Sequence, residues 1–436
     1  MGTVLGVVTL DETVVGVTLP TMVRELGLTT AASHWVINAY LLVFTCLAAA
    51  GGRLGDIVGL RLLFVIGLAV FALASLACGF ADSGEWLIAM RAVQGIGAAV
   101  IFPGSLAMMT HAFPEEQRGL AMGIYGSIGT LLLSLGPLAG GFFSEFLTWR
   151  WIFWINPPII VVVALLVLAA WHDPPREQPS VKFDISGLIA LIVGLSLAVF
   201  AVMEGPDWGW SNPTIWLILA AGIAALIAFM LIERRLSQPL IDVRLFRNGA
   251  FTTYNLAIFS AQFSKIAVFV FVAIYLQNAL SFRPLTAGFI ILVATIPTVL
   301  TAYPTGLVLD RIGSRTLIVG ASAAGAIAMI LLGVATLWNS YLFLLPALVV
   351  WGTCISLWSV PSLRDVMNAV PPDKRGEAGG ISMTAQLLGG TVGMAFSGAL
   401  FATTSMYWPI YGLTAIMFVG LFFLSWKCIE GKTLAS

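Results

Sequence analysis

The chain has 436 residues, 59% of them hydrophobic and only 10% charged, with 21 basic and 21 acidic side chains and a net charge of zero. A typical soluble domain carries about 25% charged residues, so this composition excludes a water-soluble globular protein, which would have almost no polar surface. Neutrality argues against nucleic acid as a partner.

The apolar residues fall into blocks of about 20 or more, the length that crosses a bilayer core of roughly 30 Å as a helix. In chain order the predicted spans are 3–23, 34–52, 62–80, 86–110, 119–143, 151–171, 185–204, 213–232, 250–276, 286–308, 316–337, 341–366, 377–403 and 408–427. The expected class is an all-α polytopic membrane protein with fourteen transmembrane helices. The first span has neither a basic lead nor an A-x-A-type end, so no cleavable signal peptide is expected. Cys46, Cys78, Cys354 and Cys428 lie on or beside different spans without C-x-x-C spacing, which predicts neither a metal site nor a disulfide framework. With Met1 on the inner side, sixteen basic residues fall in inner loops and tail and three, Arg24, Arg150 and Arg283, in outer loops. Such a positive-inside bias predicts that both termini face the cytoplasm.

The first span holds VVTLDETVVGV (7–17), with Asp11 and Glu12 adjacent in an otherwise apolar helix. Neighbouring helical positions point about 100° apart, so the two carboxylates face different directions. After the second span comes GRLGDIVGLR (52–61), which matches GLVLDRIGSR (306–315) as G-x-[LV]-x-D-x-x-G-x-R at an offset of 254. PEEQRGLAMG (114–123) matches PPDKRGEAGG (371–380) at an offset of 257. Both pairs fall in inner loops, and nearly equal offsets imply two repeated six-span halves in the same orientation. The expected domains are residues 1–172, a linker region 173–247 with two extra spans, and residues 248–436. In the 52–61 loop, Gly52 and Gly59 allow a tight turn, while Asp56 is suited to cap a helix and attract a basic partner.

Arg91 in the fourth span heads RAVQGIGAA (91–99), with Gln94 on its helical face. A permanent cation inside a span pairs with an acid or faces water, or snorkels from near a span end. In the fifth span, SLGPLAGG (134–141) sets Pro137 among Gly136, Gly140 and Gly141, a pattern for a hinge or a close helix interface. The ninth span places Gln262, Lys265 and Phe269 on one face, with Lys265 nearly central. Lys265 is open to two readings, a buried partner of an acid or a contact to an anionic group of a substrate. Trp351, Trp358, Met383 and Gln386 are positioned to line a cavity or to pack. His34, His111 and His172 stand apart, and no nucleophile elbow or phosphate loop accompanies them, so an enzyme is not expected.

LDETVVGVTLP (10–20), GRLGDIVGLR, RAVQGIGAA, SLGPLAGG, WRWIFWINPP (149–158) and RGEAGGISMTAQLLGG (375–390) together resemble the major facilitator superfamily, and within it the fourteen-helix drug:proton antiporter branch. That resemblance implies two six-helix bundles around a central cavity, with the two extra helices peripheral. It implies a monomeric bacterial plasma-membrane exporter of hydrophobic or amphipathic compounds, coupled to protons and without other cofactors. Asp11 matches the coupling acid, Arg91 its cavity-facing cation, and Asp11, Gln94, Gln262, Lys265, Phe269, Trp358, Met383 and Gln386 are the expected substrate contacts. Gly52, Asp56, Gly59, Arg61, Asp310, Arg311, Arg118 and Arg375 are the expected gate that latches the halves. Gly136, Pro137, Gly140 and Gly141 are the expected hinge of an export signature. Two departures stand out: Glu12 replaces a commoner small or polar residue, and Leu132 stands where glycine is frequent. Glu12 is open to two readings, a second proton site or a helix-interface residue. Competing functions are export of an endogenous anionic, lipid-like or siderophore-like solute, suggested by Lys265, and nutrient uptake, which the fifth-span pattern disfavours.

Overall fold

In the computed structural model, the structure describes residues 1–113, 115–173, 184–236, 239–371 and 374–429, and among these every regular element is helical. Fourteen α-helices are α1 Gly2–Leu26, α2 Thr30–Val58, α3 Leu60–Gly79, α4 Gly84–Ala112, α5 Glu115–Phe146, α6 Trp151–Trp154, α7 Asn156–Ala170, α8 Ile185–Trp208, α9 Pro213–Glu233, α10 Gly249–Ile274, α11 Pro284–Leu337, α12 Tyr341–Asn368, α13 Arg375–Thr404 and α14 Trp408–Cys428. Thirteen helices are long and apolar enough to cross a membrane, the short α6 joining α7 as one span. One of the thirteen, α11, runs for 54 residues but breaks at Gly313, where φ is 78°. Two spans are therefore joined there, so the described residues hold fourteen candidate crossings and the chain is a multi-pass membrane protein.

The break at Gly313 is repeated by the sequence motif. Gly59 ends α2 with φ 111° and lies 254 residues earlier, at the matching position of the first motif. A side chain is strained in this left-handed region, which explains why both copies use glycine. Two residues further on, Arg61 donates through Nη2 to the Leu168 carbonyl at the end of α7. Its counterpart Arg315 donates through Nη2 to the Trp426 carbonyl near the end of α14, 2.6 Å away, with its guanidinium 4.6 Å from the Trp426 ring. Terminal helix carbonyls lack intrahelical donors and attract cations, so each arginine closes its own bundle the same way.

The chain divides into two compact units, one of residues 1–240 with 283–285, the other of residues 241–282 and 286–436. Both extra helices, α8 and α9, belong to the first unit. The indole of Trp35 on α2 donates to Glu204 Oε1 on α8 at 2.7 Å, and its ring lies 6.2 Å from Phe200. Close backbone approach at Gly194 and Gly222 pairs α8 with α9: a Cβ at Gly222 would stand 2.7 Å from the Ala198 nitrogen. In the second unit, α10 is buried from Tyr254 to Ile274 apart from Leu256 and the half-buried Phe259, and α13 approaches it through Gly389 and Gly393.

Candidate functional site

Within the first unit, α1 and α4 bring a carboxylate and a guanidinium together out of solvent. Arg91 Nη1 donates to Asp11 Oδ2 at 2.6 Å and to Gln94 Oε1 at 2.7 Å. Gln94 Nε2 closes the triangle on Asp11 Oδ1 at 3.3 Å. Nε of Arg91 donates to the Val36 carbonyl of α2 at 3.0 Å, and the guanidinium lies 4.3 Å from the centre of the Tyr40 ring. Exposure is 0% for Asp11, 1% for Arg91 and 0% for Gln94. Arg91 is therefore a paired interior cation and does not snorkel. Spacing on α4 explains the triangle, because residues three apart share a helical face. Glu12, about 100° round α1 from Asp11, is buried at 8% exposure.

The fifth helix grips α1 just beyond the acids. Pro137 has no amide hydrogen, so the Leu133 carbonyl one turn earlier loses its helical donor. Thr13 Oγ1 donates to that carbonyl at 3.0 Å, a hydrogen bond shared with Leu10 O at 3.2 Å. Gly136 and Gly140 make the approach possible: a Cβ at Gly136 would fall 2.0 Å from Thr13 Oγ1, and one at Gly140 would fall 2.7 Å from the Val14 carbonyl. Gly141 is buried on the same helix. The departure at Leu132 is matched across the interface, since Gly6 of α1 faces it and a Cβ there would meet Leu132 Cδ1 at 2.0 Å. A second proline is handled like the first. Pro157 frees the Phe153 carbonyl between α6 and α7, and Ser75 Oγ donates to it at 2.9 Å.

In the second unit Gln262, Lys265 and Phe269 are buried along α10. Phe269 packs edge-on against Trp351, whose indole donates to Ser264 Oγ at 3.0 Å. Trp358, expected among the substrate contacts, has its ring stacked 4.3 Å from Phe418 and its indole donating to Ser322 Oγ. Met383 and Gln386 are half-buried on α13.

The expected gate residues take more local partners. Asp310 pairs with Arg364 at 2.8 Å, and Arg364 also bonds Asp365, which accepts from Ser314. Asp56 lies in the last turn of α2, and the N-cap of α3 is Gly59. The first-turn amide of Arg61 donates to Asp173 Oδ1 at 2.9 Å. The side chains of Asp56 and Arg118 lie outside the described residues. Gly52 is half-buried, and Arg311 and Arg375 are exposed. Beside Arg375, Lys374 Nζ meets Asp242 Oδ2 at 2.6 Å.

Sequence reasoning missed the contributions of α2, because Val36 acts through its backbone and Tyr40 through its ring.

A two-unit helical membrane protein with repeated motifs and a dry ion pair in its first helix has the makings of a secondary transporter. Residues 1–238 and 254–431 match the Major Facilitator Superfamily, and the chain belongs to it. It is a transporter, not an enzyme. It is 35% identical over 404 residues to the puromycin resistance protein pur8 of Streptomyces alboniger, covering 89% of this chain and 78% of that one. It is likewise 35% identical over 402 residues to the cephamycin export protein CmcT of Amycolatopsis lactamdurans, covering 89% and 81%. A crystal structure of a D-xylose-proton symporter shares the fold with a TM-score of 0.72 at 15% identity, over 98% of this chain and 96% of that chain.

Proposed function

We propose that the chain is a proton-coupled antiporter of the fourteen-helix drug:proton branch, exporting hydrophobic or amphipathic compounds, cationic ones foremost. One observation carries this reading: a carboxylate in the first helix, fully buried and held by Arg91 and Gln94. Relatives named for puromycin resistance and cephamycin export support export of antibiotic-like compounds.

Asp11 has three competing partners. With Arg91 bound, its charge is neutralised and the site is closed to cations. Desolvation favours the neutral acid and a nearby cation favours the carboxylate. A proton on Asp11 therefore releases Arg91, and a cationic substrate takes the place of either. Proton and substrate exclude one another, which is the minimum condition for antiport. Alternating access then loads Asp11 on one face of the membrane and unloads it on the other. Gln262, Lys265, Met383 and Gln386 are the second-half residues available to substrate. The protein acts as a monomer in a bacterial plasma membrane, with both termini in the cytoplasm as the basic residues indicate.

A second reading, export of an endogenous anionic solute, is favoured by Lys265, a buried lysine on α10. Purified protein in liposomes with an imposed pH gradient separates the two. Ethidium and puromycin are expected to discharge the gradient as they are transported, whereas organic anions are not. Accumulation of ethidium with no proton flux would overturn antiport, and discharge by anions alone would select the second reading.

A further inference from the structure

Arg91 is held by Asp11 and Gln94 along its edge, but those bonds do not stop the planar group from tilting. With the Phe153 ring 5.7 Å from the guanidinium as a second contact, the nearer restraint is Tyr40. It is 0% exposed, its ring centre lies 4.3 Å from the guanidinium carbon, and it sits one turn after Val36, whose carbonyl accepts from Arg91 Nε. The ring is itself fixed. Phe44 lies 5.8 Å from it and is in turn met edge-on by Phe102 at 5.6 Å. Where α4 crosses, a Cβ at Gly95 would stand 2.6 Å from the Tyr40 carbonyl, so the two backbones are in direct contact. The Tyr40 hydroxyl, by contrast, is buried with no hydrogen-bond partner among the described residues. What the surroundings use is the face of the ring. A cation over an aromatic face is attracted by the ring quadrupole, and more strongly where water is excluded.

We propose that Tyr40 is a positioning residue for the Asp11–Arg91 switch, its ring holding the guanidinium in register with the carboxylate. The inference rests on the reading of Asp11 as the coupling acid. Coupled transport should then follow the electron density of the ring at position 40 and be indifferent to the hydroxyl.

The test replaces Tyr40 with phenylalanine and with singly, doubly and triply fluorinated phenylalanines, which alter the quadrupole with little change of shape. Each variant is purified and reconstituted, and ethidium-driven proton movement is read beside ethidium counterflow, which needs no net proton transfer. Tyr40→Phe is expected to match the wild type. Fluorination is expected to reduce proton movement stepwise, by about tenfold over the series, at constant counterflow. A flat series overturns the inference, as does a Tyr40→Phe variant as impaired as the triply fluorinated one, which would assign the role to the hydroxyl. Asp11→Asn is run alongside. If it stays coupled, the underlying reading fails and the inference with it; if it is uncoupled and the series is flat, the role of Tyr40 alone is refuted.

Discussion

Neutralising the two buried charges separately and together distinguishes a switch from a brace. Asp11→Asn leaves Arg91 charged at 1% exposure, with Gln94, the Val36 carbonyl and the Tyr40 ring as remaining partners. Arg91→Gln leaves Asp11 at 0% exposure with the Gln94 amide 3.3 Å away. Removing one partner of a buried pair costs about 3–5 kcal/mol. Surviving hydrogen bonds to a charged group return about 1.5–3 kcal/mol, so each single variant should lose about 2 kcal/mol. The double variant buries no charge and should lie within about 1 kcal/mol of wild type, giving an interaction of about 3 kcal/mol. Equilibrium unfolding in mixed detergent, followed by tryptophan fluorescence, measures the cycle. The double variant is expected to fold as well as wild type and to have no proton-driven export. Additive single variants, with an interaction below about 0.5 kcal/mol, would refute the pairing. A double variant exporting at the wild-type coupled rate would refute the switch.

Thr13→Val should cost about 1–3 kcal/mol by orphaning the Leu133 carbonyl, and adding Pro137→Ala, which restores the helical amide, should recover most of that loss in the same unfolding assay. Gly59→Ala and Gly313→Ala should each destabilise by about 1–2 kcal/mol through their left-handed backbone. Gly306→Ala, where a Cβ meets nothing within 4 Å, should be neutral or slightly stabilising, which is checked by melting temperature. Burial pushes the Asp242 carboxyl up, but the Lys374 hydrogen bond, the Arg244 amide and both cations outweigh it and hold it below the usual carboxylate range. A depressed folded value means stability that is present above the unfolded pKa and lost as pH falls through the folded one. Wild type should therefore lose stability relative to Asp242→Asn on acidification below about pH 4. With Lys374 39% exposed, solvent screening limits the difference to about 1 kcal/mol or less.

Span number and repeat could be read from the sequence because both are one-dimensional: block length meets bilayer thickness, and equal offsets mark equal halves. The Asp11–Arg91–Gln94 triangle was partly legible, since helical spacing joined Arg91 to Gln94 and an intramembrane cation demands an acid. Tyr40 and Val36 were not, because a ring face and a backbone carbonyl leave no charge pattern. Trp358 stayed open in the sequence for the opposite reason: an indole suits a cavity or a core equally, and its stacking on Phe418 leaves no mark in the residue pattern. Asp310 illustrates a further limit. Motif position gave its place in the turn, but the partner, Arg364, lies 54 residues away in sequence. Glycines became legible once paired with what faces them, as Gly6 with Leu132 and Gly136 with Thr13.

Substrate-driven proton movement by the Asp11→Asn variant in liposomes tests the central claim most directly, read with ethidium against an imposed pH gradient and beside counterflow exchange. The account predicts that the variant loses uphill export and substrate-driven proton release, and that its ethidium counterflow weakens with the loss of the counter-charge. Uphill, proton-driven export surviving at the wild-type rate in Asp11→Asn would contradict it.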